Sequence, residues 1–218
     1  DYNNIKGSSE STYKQYASMI LDRPEEGFYI TSGSDITPTE TSFTKDNSIY
    51  ILNFKRDRFK DQIEEGTWTI ILSGSKSDGN GKSIHLTDNS KENPIGITTK
   101  VGRRYDILSG SDGNLSGNKF EKRYGWFYPD IGIMIFGQYL INSMLGQSGN
   151  HVYTASFNGT HISDNGLNPG GLTSNNGDYK NALRFVNCLR NVDGNCFTLY
   201  GEKEVINITY LCKLDAQG

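Results

Sequence analysis

The chain has 218 residues, a formal net charge of −3 and a hydrophobic share of 34%. So near neutrality, it carries no global field for gripping DNA, RNA or an anionic membrane. Its 25 Gly, 21 Asn and 21 Ser supply turns around a thin core, yet 13 Tyr and 10 Phe are too many for a disordered chain.

A helix is expected over 8–21. Ser8 or Ser9 can cap it, and Tyr13, Tyr16, Ala17, Ile20 and Leu21 fall on one face at helical spacing. Pro24 cannot continue it, so 1–26 reads as an N-terminal helix or arm ahead of a mainly β structural domain at 27–218. Strands are expected at 28–32 and 49–54, around the polar loop 35–45. A short helix follows at 57–65, with Phe59 and Ile63 stacked at i,i+4 and Gly66 ending it. A strand at 68–72 completes a strand–helix–strand unit over 47–73.

Residues 73–83 read as a Gly/Ser/Asp/Asn loop. Short strands follow at 83–86, 96–101 and 104–108, with a glycine-rich turn at 109–117. The segment 124–136 is the densest in apolar residues, and 131–136 does not alternate, so it is expected as a strand buried on both faces. A short helix at 138–145, a strand at 151–157 and a long polar loop at 159–179 come next. Strands at 183–190, 196–200 and 205–211 end the chain, the first two joined by a hairpin at Asp193-Gly194. The fold class expected is mainly β (α+β): short antiparallel strands in a sheet or sandwich, a few short helices and long Gly/Asn-rich loops.

Motifs for chemistry are incomplete. Gly81-Lys82-Ser83 suggests a phosphate loop, but the glycine required five residues earlier is Lys76. Asp112, Asn114 and Ser116 match half a calcium loop, but the carboxylate due at its twelfth position is Arg123; an Asx/Gly turn is the simpler reading. His85, His151 and His161 lie far apart, and Cys188, Cys196 and Cys212 show no paired spacing, which points to packed thiols in a reducing compartment. Glu64-Glu65 and Asp57/Asp61, interleaved with Lys55, Arg56, Arg58 and Lys60, form a solvated charged face. Arg103-Arg104 and the basic run 119–123 are thin nucleic-acid signals. Sequons at Asn114, Asn158 and Asn207 are expected by chance in such a composition. No basic-then-apolar segment opens the chain, and the interrupted apolar run 131–145 falls short of the roughly 20 residues of a membrane span. The expectation is therefore no catalytic, cofactor-binding or metal residues, no cofactor, no nucleic acid and no membrane.

Longer phrases carry more information. Residues 36–68, which include Ser-Ile-Tyr-Ile-Leu-Asn-Phe-Lys-Arg-Asp-Arg-Phe at 48–59, resemble a segment of virion proteins of T4-like cyanophages and related marine myoviruses. Tyr-Lys-Gln-Tyr-Ala-Ser-Met-Ile-Leu-Asp at 13–22 resembles the segment preceding it there, and Tyr-Gly-Trp-Phe-Tyr-Pro-Asp-Ile-Gly-Ile-Met-Ile-Phe at 124–136 a later one. The resemblance implies a non-enzymatic structural protein of the particle, tail or baseplate associated, assembled in the host cytoplasm. Its partners would be other virion proteins and copies of itself in a homo-oligomer, with loops 73–83 and 159–179 as the expected contacts. The alternative is a host-surface glycan-binding tail fibre or capsid decoration module, using Trp126 with Tyr124 and Tyr128 as an aromatic platform. A hydrolase ranks third.

Overall fold

The computed structural model describes residues 2–30, 45–46, 49–75, 81–116, 123–137, 156–157, 160–161, 185–186, 189 and 197–202. Among them the architecture is mainly β and antiparallel, with one long helix, α1 (Tyr2–Ile20). The strands are β1 (Ile49–Asn53), β2 (Gln62–Ile63), β3 (Thr69–Ser75), β4 (Gly81–Asp88), β5 (Ile97–Thr99), β6 (Gly102–Ser111) and β7 (Asn114–Leu115). They continue with β8 (Gly125–Tyr128), β9 (Ile133–Gly137), β10 (Ser156–Phe157), β11 (Thr160–His161), β12 (Phe197–Thr198) and β13 (Gly201–Glu202). The main sheet runs β1-β9-β8-β6-β4-β3-β12, with β5 and β7 also paired to β6.

The sheet separates two cores because β8 and β9 are buried at every position. Phe127, Met134, Phe136, Tyr50 and Leu52 face one core; Trp126, Tyr128, Ile133, Ile135, Ile49 and Ile51 face the other. That is the period-2 alternation of a strand with both faces covered. It bears out the expectation of a two-sided strand, now placed at β9. The rings of Phe54, just past β1, and Phe197 of β12 meet at 5.2 Å. The two edge strands therefore approach each other over the first core, and the sheet is curled.

Helix α1 covers the second core. Tyr13, Tyr16, Ala17, Ile20 and Leu21, the expected face, all belong to it. The helix starts at Tyr2, earlier than expected, so Ser8 and Ser9 lie inside it rather than capping it. Tyr13 locks the docking: its hydroxyl donates to Asp46 O (2.8 Å) and accepts from Phe28 N (3.0 Å). Lys100 Nζ donates to the terminal carbonyls of Ser18 (2.8 Å) and Leu21 (2.6 Å), a cationic cap at the negative end of the helix.

Four expectations need correction. The helix at 57–65 is a single 3-10 turn, Arg56–Arg58, after which Phe59 is extended (φ −130°, ψ 143°) and Ile63 lies in β2. Tertiary contacts decide this. β2 pairs with β13, Glu64 N donates to Tyr200 O (2.8 Å), and the Phe59 ring fills the space above Gly132 that a Cβ would occupy. The strand at 28–32 reduces to one antiparallel bridge, Phe28 with Asp46, within the described residues. Within the loop expected at 73–83 the described residues are strand, since Ser73, Gly74 and Ser75 pair with Ser83, Lys82 and Gly81. The apolar pairs Ile70–Leu86 and Leu72–Ile84 set a register that these weaker formers extend.

The fourth correction concerns 183–190, where Phe185, Val186 and Leu189 are helical rather than extended. Phe185 packs its ring against Tyr50 (5.5 Å) and Phe136 (5.4 Å). The strand expected at 196–200 is present as β12, but it pairs with β3, Phe197 opposite Ile70. Residues 138–145, 193–194 and 205–211 lie outside the described residues, as do most of 151–157 and 159–179.

Candidate functional site

The Asp112-Gly113 dipeptide joins β6 to β7 in two residues. Asp112 has φ 48° and Gly113 φ 71°, the left-handed pair that a type I′ hairpin requires and that an Asp-Gly sequence supplies at low cost. The half calcium motif is thus a turn, as the simpler reading held. It is pinned from three sides. Asp112 N donates to Thr69 Oγ1 (2.9 Å), Gly113 N donates to Thr87 Oγ1 (2.8 Å), and Lys91 Nζ donates to Asp112 O (2.5 Å).

Between this hairpin and β4 lies an open cleft of about 510 Å³. Ile84 and His85 form one wall; Ser109, Ser111, Asp112, Asn114 and Ser116 form the other. Ser109 Oγ and Ser116 Oγ stand 3.1 Å apart, and Thr69 Oγ1 donates to Asp112 Oδ1 (3.0 Å). Ser111 Oγ reaches Asp112 Oδ2 at 3.4 Å. The lining mixes hydroxyls, an amide, an imidazole and one carboxylate with the apolar Ile84, and among the described residues no lysine or arginine lines the cleft.

Trp126 does not form an exposed platform. It is 5% exposed, and Tyr124 and Tyr128 are equally buried. The Arg104 guanidinium stacks on the indole at 4.4 Å and that of Arg123 at 5.6 Å. Arg123 turns inward: Nε donates to Ile30 O (2.6 Å), NH2 donates to Tyr29 O (3.0 Å), and NH1 lies 3.5 Å from Asp106. Burial pushes its guanidinium below the ordinary value, with Asp106 opposing. Neither family models nor curated proteins nor solved structures match this chain.

The remaining candidates are distributed rather than convergent. Glu65 Oε1 accepts from Arg103 (2.9 Å) and Tyr105 (3.2 Å), and Arg103 N donates to Asp130 Oδ2 (2.7 Å). Burial first, then the Glu65 charge, pushes the Tyr105 hydroxyl up to about 12. This network ties β2 to β6 and leaves Glu64, Asp57 and Asp61 facing solvent. Gly81, Lys82 and Ser83 are ladder residues of β4, not a phosphate loop. His161 lies in β11, distant in sequence from His85 on the cleft wall. His151, Cys188, Cys196 and Cys212 lie outside the described residues. Sequence reasoning weighed Asp112, Asn114 and Ser116 as half a calcium loop, preferred a turn, and missed Ser109, Ser111 and His85 as their neighbours. Only the β4–β6 register, Leu86 opposite Ser109, brings the two walls together.

Proposed function

We propose that this chain is a non-enzymatic structural protein of a bacteriophage particle, tail or baseplate associated, assembling with copies of itself and with other virion proteins. One observation supports the reading: the phrases that resemble those of phage virion proteins lie in the scaffold. Residues 13–22 and 124–136 pack face to face, Tyr13, Ala17 and Ile20 with Trp126, Tyr128, Ile133 and Ile135. Residues within 36–68 supply Phe59, Ile63 and Trp68 to the opposite core. Exposed Ile95 (80%) and Tyr200 (56%) offer apolar surface to neighbours. Quantitative mass spectrometry of purified particles, followed by image reconstruction, tests this. The expected outcome is a copy number that is a multiple of the tail symmetry; absence of the chain from washed particles overturns it.

A second reading, a module that binds host-surface glycan, loses Trp126 as its platform. The hydroxyl-lined cleft is the observation that favours it.

A further inference from the structure

The cleft beside the Asp112-Gly113 hairpin selects its ligand by the hydrogen-bonding groups it offers. Of the Ser109 and Ser116 hydroxyls, 3.1 Å apart, only one can donate to the other, so one O–H is left to donate elsewhere. The Asp112 carboxylate is held by Thr69 on one oxygen and Ser111 on the other, and each oxygen keeps a further lone pair. The Asn114 and His85 side chains are exposed, and each brings both donors and acceptors. Ile84 adds an apolar wall. Phosphates and carboxylates, which only accept, meet the Asp112 carboxylate here, and among the described residues no lysine or arginine lines the cleft to offset it. An ammonium, which only donates, can reach the Asp112 carboxylate but leaves the spare serine O–H without an acceptor. A hydroxyl donates and accepts at once, and the C–H face of a pyranose matches Ile84. The volume of about 510 Å³ falls within the range of small-molecule sites.

We propose that this cleft binds a neutral saccharide unit through Asp112, Asn114 and the Ser109–Ser116 pair. The proposal rests on the second reading above and names its site and ligand class. The test is amide chemical-shift mapping of the full chain titrated with glucose, galactose, N-acetylglucosamine and maltotriose, with glucose 6-phosphate and inorganic phosphate as anionic arms. At least one neutral sugar should give saturable shifts confined to 84–86 and 109–116. Asn114→Ala should weaken binding about tenfold, the size expected for one or two lost hydrogen bonds. Ser116→Trp, which plugs the cleft from an exposed position, should abolish binding without lowering the melting temperature. Absence of saturable shifts, shifts mapped elsewhere, or tighter binding of the phosphorylated arm overturns the proposal. Host-surface polysaccharide is titrated separately. Sugar binding in the cleft without polysaccharide binding sinks the second reading alone, and polysaccharide binding away from the cleft sinks this site alone.

Discussion

Tyr128 lies at the centre of the second core with its hydroxyl beside Arg104, and its environment determines how it titrates. Burial pushes that hydroxyl up to about 12, with the Arg104 charge opposing. An unfolded tyrosine loses its proton near pH 10. Between about pH 10 and about pH 12 the unfolded chain therefore binds fewer protons than the folded one, and stability falls as pH rises. The contribution is fully present below pH 10 and amounts to roughly 2–3 kcal/mol by the two-unit difference. Urea unfolding across this window should show a falling midpoint, with a shallower fall in Tyr128→Phe. Tyr105, pushed up to about 12 as well, keeps the variant from becoming pH-independent.

At the scale of elements, two errors of sequence reading share one cause. Phe59 and Ile63 are four apart, as are Phe185 and Leu189. In a helix i and i+4 share a face, but in a strand they do too, because the side-chain period is 2. The first pair turned out extended and the second helical, each decided by what it packs against: β13 and Gly132 for Phe59, the rings of Tyr50 and Phe136 for Phe185. Helix α1 was legible because five positions, 13, 16, 17, 20 and 21, fit only the helical period. Its end is held by Lys100, 79 residues beyond Leu21. Lys100→Met keeps the apolar stem and removes the cap. It should cost about 1 kcal/mol in urea unfolding and speed amide exchange in the last turn of α1 while leaving β9 unchanged.

For the whole molecule, the boundary drawn at residue 26 separates two parts of one core. Ala17 and Ile20 are buried with Phe28, Trp126, Ile133 and Ile135, and Tyr13 satisfies the Phe28 N–H. A chain beginning at residue 27 would lose Tyr13, Tyr16, Ala17, Ile20 and Leu21 from this core and uncover the apolar surface they pack against. Such a chain should bind a hydrophobic dye, show red-shifted tryptophan emission and elute as aggregate. A monodisperse, cooperatively melting product would show that α1 is dispensable.

Local chemistry alone determined several features: the two-sided strand at β9, the apolar stripe of α1 and the Asp112-Gly113 turn. Each depends on side-chain period or on one residue's backbone freedom, which a short window of sequence contains. Strand order was decided only by the tertiary structure. Nothing near residue 197 specifies β3 as its neighbour, and nothing near residue 49 specifies β9. Those pairings follow from burying two cores at once. The same long-range packing sets His85 and Ile84 opposite Ser109 to Ser116, and buries Trp126 beneath two arginines.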